Sequence, residues 1–213
     1  MTDIHSWLEV FAGHLEERFR GRIWFAGLQG SYARGEAKET SDIDVVVIFD
    51  TLSMEDLESY REMLDGIPER EKICGFISGR EEILSWDTSD LLHFCYDTVP
   101  ITGSLEELFS MVDRDSVKRA VKSGACNIYH ACVHNFLHEM DIGILEGLYK
   151  SAVFVIQSAY FLRTGQYISK HSELLSLVTP DEKMILAPEA ADFTELSRIL
   201  FTWSGRIIAH DGL

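Results

Sequence analysis

The chain has 213 residues, 46% hydrophobic and 25% charged, enough for one large domain or two small ones around a substantial core, and a composition that excludes disorder. Its 19 Lys and Arg against 35 Asp and Glu give a formal net charge of −16. Such a field repels nucleic-acid backbones and attracts cations, so a DNA- or RNA-binding module is not expected, whereas divalent metals or a polycationic acceptor fit. The same charge also serves plain solubility. No apolar run reaches the ~18 residues a membrane span needs. The opening Met1-Thr2-Asp3-Ile4-His5 lacks the basic start and apolar core of a signal peptide. A cytoplasmic protein without a membrane partner is expected. Cys74, Cys95, Cys126 and Cys132 form no C-x-x-C pair and read as reduced, buried thiols.

In chain order, residues 3–20 place Ile4, Trp7, Leu8, Val10, Phe11, Leu15 and Phe19 at helical spacing and predict an amphipathic opening helix. Residues 22–26 read as a first strand. Residues 27–35 read as a glycine-rich turn leading into a short helix through Ser31. Residues 43–49 are a β-branched strand bounded by Asp42 and Asp50. Residues 54–64 are helical, ended by Gly66 and Pro68. Residues 73–77 read as a third strand, followed by Gly79 and a short helix through Trp86. Residues 91–96 and 98–101 read as extended, with Pro100 marking an edge or a strand end. After Gly103 the pattern turns helical: 105–138, interrupted near Asp113 and Gly124, then 144–162 closed by Thr164-Gly165, then 172–178 and 193–210. The fold class expected is an α/β (α+β) domain with a mixed β-sheet, residues 1–103, followed by an all-α helical bundle, residues 104–213, with the boundary inside 102–116. There are no internal repeats or low-complexity tracts.

One segment carries most of the chemistry. Gly30 to Asp44 reads Gly-Ser-Tyr-Ala-Arg-Gly-Glu-Ala-Lys-Glu-Thr-Ser-Asp-Ile-Asp and runs straight into Val45-Val46-Val47-Ile48-Phe49. A small-residue turn can bring backbone N–H groups close to a phosphate. Carboxylates at i and i+2 on a strand point to one face, so Asp42 and Asp44 can share a metal. Phosphate cradle and acid pair together imply a metal–nucleotide site.

Gly30-Ser31, ten residues, then Asp42-Ile43-Asp44 resembles the signature of the DNA polymerase beta-type nucleotidyltransferases, and the fuller string with Arg34, Gly35 and Ser41 resembles their minimal bacterial subgroup. Glu81-Glu82-Ile83-Leu84, Pro100-Ile101 before a helix, and the helical second half resemble the kanamycin-type antibiotic nucleotidyltransferases. The resemblance implies a nucleotidyltransferase domain at 1–103 and a C-terminal bundle for acceptor binding or dimerisation. It implies that Gly30 and Ser31 hold a triphosphate and that Asp42 and Asp44 bind Mg²⁺. An acceptor hydroxyl would attack the α-phosphorus, with ATP as donor. Arg34 either contacts phosphate or locks the turn onto an acidic neighbour; Gly35 serves turn geometry. Ser41 bonds Asp42 or a nearby backbone N–H and so orders the ligands. The implied acceptor is a small hydroxyl compound, aminoglycoside- or lincosamide-like, and a homodimer is expected. Two other readings are a protein-adenylylating, antitoxin-type enzyme and a non-catalytic nucleotide-sensing interaction protein.

The family's third carboxylate has no obvious place, because residues 73–77 contain no acid. Asp97 is the first candidate, Glu71 the second and Asp87 the third; Asp97 is also an ordinary turn acid before Thr98. His130, His134 and His138 share a helix face through spacings of four, which favours packing or cleft lining over zinc. Glu139 or His134 is the candidate base for the acceptor's proton. Arg163 and His171 resemble the Arg-and-His motif of small helical toxin ribonucleases, but seven residues separate them and the net charge disfavours an RNA enzyme. Arg163 reads instead as a helix-end residue before Gly165. Trp24, Phe25, Phe154, Tyr160, Phe161, Phe201 and Trp203 read as packing groups, one of which could stack on a base.

Overall fold

The structure, a computed structural model, describes residues 2–189 and 192–209. The chain forms two compact units, Met1–Asp87 with Phe94–Met111, and Thr88–His93 with Val112–Leu213.

The first unit opens with α1 (Ile4–Phe19), whose first turn is capped by the Asp3 carboxylate accepting from the Ser6 N–H. Trp7, Phe11, Leu15 and Phe19, four residues apart, are its buried stripe. There follow β1 (Ile23–Gln29), α2 (Gly30–Arg34), β2 (Ile43–Phe49), α3 (Met54–Leu64), β3 (Ile73–Gly79), α4 (Arg80–Leu84), α5 (Leu91–Tyr96, of which Leu91–His93 falls in the second unit), β4 (Val99–Thr102) and α6 (Glu106–Phe109). The sheet order is β3-β2-β1-β4. β1 runs antiparallel to both β2 and β4, while β2 runs parallel to β3, so the sheet is mixed. Along β2 the pleat sends Ile43, Val45, Val47 and Phe49 into one core with the α1 stripe and with Tyr60, Met63 and Leu64 of α3. The same alternation sends Asp44, at the start of the strand, to the opposite face. α3 is fixed by a reciprocal cap between Ser53 and Asp56. Arg22 grips Asp56 from the β1 side at 2.5 and 3.0 Å and holds its carboxyl down at about 2.

The second unit is helical: α7 (Arg114–His134), a π turn at Asn135–Glu139, α8 (Ile142–Thr164), α9 (His171–Leu177), α10 (Pro180–Leu186) and α11 (Phe193–Ala209). Its core gathers Val117, Val121 and Ile128 of α7, Val155, Ile156 and Ala159 of α8, and Leu200 and Trp203 of α11. His93 belongs to this unit, with Nδ1 2.7 Å from the Tyr167 hydroxyl and Nε2 2.8 Å from the Ser158 hydroxyl. Arg163 makes a two-pronged pair with Glu182 of α10 at 2.9 and 3.0 Å. No helix among the described residues is long and apolar enough to cross a membrane.

Several sequence expectations need correcting. Residues 91–96, expected as extended, form α5: Leu91, Leu92 and Cys95 are buried at i, i+1 and i+4, a helical spacing, and the Thr98 hydroxyl donates to the Phe94 carbonyl near its end. The chain does break at Asp113, which caps α7 through a reciprocal bond with Ser116, but it does not break at Gly124. There α7 passes so close to α8 that a Cβ would stand 2.7 Å from the Val155 methyl, so the glycine marks a helix contact. α10 was not anticipated, although Thr179-Pro180-Asp181-Glu182 carries the capping box and N1 proline that start it. Cys95 and Cys132 are buried, but Cys74 and Cys126 are exposed. His210, the expected last residue of the final helix, lies outside the described residues.

Candidate active site

The candidate site is built where β1, α2 and β2 meet. Gly30 follows the last residue of β1 and takes φ +68°, a conformation that costs a side-chain residue and lets α2 start abruptly from the strand. Tyr32, buried in the core, anchors the short helix. Gly35 ends it at φ +71°, with its N–H and that of Glu36 returning to carbonyls of α2. The loop then closes through Ser41, whose N–H donates to the Lys38 carbonyl at 3.0 Å and whose hydroxyl accepts from the Lys38 N–H at 2.8 Å. This turn delivers Asp42 and Asp44 to the head of β2.

Asp44 sits directly against the bend. A Cβ on Gly30 would stand 1.9 Å from its Oδ2, so only glycine leaves room for the carboxylate there. The Asp44 carboxyl is raised above the ordinary carboxylate range, first by burial and then by the charge of Asp42; Arg34 opposes the shift. Arg34 itself donates from Nε to Glu36 at 3.3 Å. Asp42 is exposed and Asp44 half-buried. Two acids are thus held near one another, one of them partly stripped of water.

The neighbours of Asp44 across the sheet are set by register. Gln29 of β1 pairs with it on one side and Cys74 of β3 on the other. Paired residues share a face, so the row reads Gln29, Asp44, Cys74. Gln29 is tethered by donating to the Thr98 hydroxyl at 2.6 Å and the Phe94 carbonyl at 3.3 Å. β3 therefore offers an exposed thiol beside the acid pair. Sequence reading missed both flanking residues; only the strand register exposes them.

The three carboxylates weighed as a third ligand all lie off the strands. Asp97 is buried in the loop between α5 and β4, next to Thr98. Glu71 lies in a single turn before β3, and Asp87 follows α4; neither is on a strand. Glu139 ends the π turn of the helical unit, with His134 Nε2 3.4 Å from its carboxylate, and the His134 and His138 rings are 4.9 Å apart. Among the described residues no three His, Cys, Asp or Glu side chains are arranged to hold a metal ion by themselves. The acid pair still suits Mg²⁺, which is commonly bound by one or two carboxylates and completed by substrate phosphates and water. A carboxylate raised by burial and by its neighbour's charge, and a cradle that a Cβ would fill, both fit a cation beside a phosphate chain.

The geometry defines a class, and the comparisons agree with it. A family model described as the nucleotidyltransferase domain matches residues 9–121, more than half of the chain. The chain belongs to this family and is a nucleotidyltransferase. Protein adenylyltransferase MntA of Thermococcus cleftensis is 42% identical over 71 residues, which span 32% of this chain and 70% of that protein. A putative protein adenylyltransferase of Methanocaldococcus jannaschii is 39% identical over 66 residues, 29% of this chain and 74% of that protein. Spectinomycin adenyltransferase AAD(9) of Enterococcus faecialis, solved with ATP and spectinomycin, superposes with a TM-score of 0.61 at 15% identity, covering 97% of this chain and 99% of that one. At that identity the likeness is one of fold.

Proposed function

We propose that the chain transfers a nucleoside monophosphate, AMP from ATP, to the hydroxyl of a small-molecule acceptor. The observation that carries this reading is the fit of Asp44 into the space that Gly30 leaves, with Asp42 beside it. Gly30 and Ser31 bind the triphosphate through backbone N–H groups and the Ser31 hydroxyl. Arg34, near enough to lower the Asp44 carboxyl, adds positive charge at the same place. Asp42 and Asp44 hold Mg²⁺, which when bound neutralises phosphate charge and favours an attacking oxygen. Ser41 keeps the loop before Asp42 closed. The acceptor oxygen forms a bond to the α-phosphorus, the bond to pyrophosphate breaks, and the acceptor's proton leaves to a carboxylate. Asp97 is assigned as the third carboxylate of the catalytic part, residues 1–103.

An aminoglycoside-like or lincosamide-like acceptor fits a chain of net charge −16, because such compounds are cationic or weakly basic. The full-length fold likeness to an adenyltransferase solved with spectinomycin supports a small acceptor. The second reading, adenylylation of a protein, is supported by the names of the sequence relatives. A homodimer and a cytoplasmic location belong to the proposal as well. Incubation with α-labelled ATP and Mg²⁺, once with a panel of aminoglycosides and lincosamides and once with a cell lysate, separates the readings. Label on a small molecule with release of pyrophosphate supports the first. Label on a protein band alone supports the second. Bound nucleotide without label on either overturns both.

A further inference from the structure

The helical unit carries an open, largely apolar cavity of about 330 Å³ where the end of α7, the π turn and α11 meet. Val133, Phe136, Leu137 and Phe201 are its apolar walls. Phe136, Leu137 and Phe201 are 43%, 64% and 42% exposed, and the chain just beyond continues with exposed Met140, Ile142 and Ile144. So many large apolar groups left in water on one short stretch mark an interaction surface more often than a bare monomer face. The π turn creates the display. The Met140 N–H returns to the Asn135 carbonyl at 2.7 Å, Met140 is held at φ +51°, and the buried Asn135 amide clamps the turn by bonding both the N–H and the carbonyl of Asp141. A non-glycine residue in that conformation carries a steric cost. Turns of this type recur at functional places in helices. The buried Ser197 hydroxyl, also in the cavity wall, has no hydrogen-bond partner.

Charge says what covers the face. Residues 132–146 hold Glu139, Asp141 and Glu146 and no Lys or Arg. Residues 192–201 hold Asp192, Glu195 and one cation, Arg198, whose guanidinium already lies 2.7 Å from Glu195. Arg198 is the charged residue of the cavity wall and is paired with Glu195, so the flanking segments, with Asp192, Glu139 and Asp141, are net acidic. A second copy, itself at −16, would bring the same acids against them. We infer that this face docks an amphipathic helix of another protein, apolar along one stripe and rich in Lys or Arg beside it. Two apolar side chains a turn apart on that helix enter the cavity, and its cations meet the surrounding acids.

The test uses the full chain and two fluorescein-labelled helical peptides with one leucine stripe at i, i+3, i+4 and i+7, their other positions lysine in one and glutamate in the other. Fluorescence anisotropy should give the lysine peptide at least about tenfold the affinity of the glutamate peptide, a 1.4 kcal/mol preference. Leu137→Asp, at a residue too exposed to matter for folding, should weaken the lysine peptide by at least about tenfold, although it adds an acid. Phe201→Ser should weaken it in the same direction. Equal affinity for the two peptides would overturn the inference. So would lysine-peptide binding that Leu137→Asp leaves unchanged or strengthens, because that is attraction to net charge alone. A dimer of the chain by itself that Leu137→Asp dissociates would also overturn it, assigning the face to a second copy.

Discussion

At Asp44 a carboxylate is held where its charge is opposed twice, by burial and by Asp42. Without a cation its ionised form therefore works against folding. The sign follows from the raised folded value: the contribution favours the fold while the group is protonated and turns unfavourable as pH rises through that value. Asp44→Asn should accordingly leave the metal-free protein as stable as the wild type or slightly more stable at pH 7, read as an unchanged or higher Tm. The same substitution should lower nucleotidyl transfer by more than about 100-fold, beyond what losing a group that only supports a metal ligand costs. Wild-type turnover in Asp42→Asn or Asp44→Asn would refute the assignment. Gly30→Ala places a Cβ against Asp44 at φ +68°. It should destabilise by at least about 1–2 kcal/mol in urea unfolding and, by pushing the carboxylate aside, reduce activity as well. The acid pair and the bend were legible because their residue types and spacing are local. Cys74 and Gln29 were not, because their place beside Asp44 comes from pairing with strands at a distance in sequence.

Among the elements, the strongly periodic ones read directly. The opening helix was expected over 3–20 and runs over Ile4–Phe19, while β2 and α3 have the expected bounds. The failures have physical causes. Six mostly apolar residues at 91–96 carry too little periodicity to separate strand from helix, and burial of Leu91, Leu92 and Cys95 decided for the helix. Gly124 read as a breaker because sequence cannot show that α8 lies against it. Gly124→Ala should therefore destabilise, against the ordinary preference for alanine in a helix by roughly 0.5–1 kcal/mol, because Val155 is stiff and blocks the new methyl. Pairing it with Val155→Ala should recover part of the loss, measurable as a coupling energy in a double-mutant cycle. His93, set between Tyr167 and Ser158, is lowered to about 4 by burial. Because the unfolded chain binds that proton more tightly, the helical unit should keep this contribution above about pH 6.5 and lose up to about 3 kcal/mol as pH falls towards 4. His93→Phe should flatten the pH dependence of stability in that window.

On the scale of the whole molecule, the net charge of −16 draws cations from every side. Raising NaCl from about 0.05 to about 0.5 M should raise the KM for a cationic acceptor severalfold with a smaller effect on kcat, since screening acts on encounter. An unchanged KM would remove charge from acceptor selection. Fold class was legible here because two textures follow one another along the chain, strands with short helices and then helices alone. The acceptor was not, because nothing in the motif touches it. The most direct measurement is a crystal structure with Mg²⁺ and a non-hydrolysable ATP analogue. The expected result is an ion at about 2.0–2.1 Å from oxygens of both Asp42 and Asp44, with the phosphates on the N–H groups of Gly30 and Ser31. Both carboxylates facing bulk water while the nucleotide lies elsewhere would contradict it.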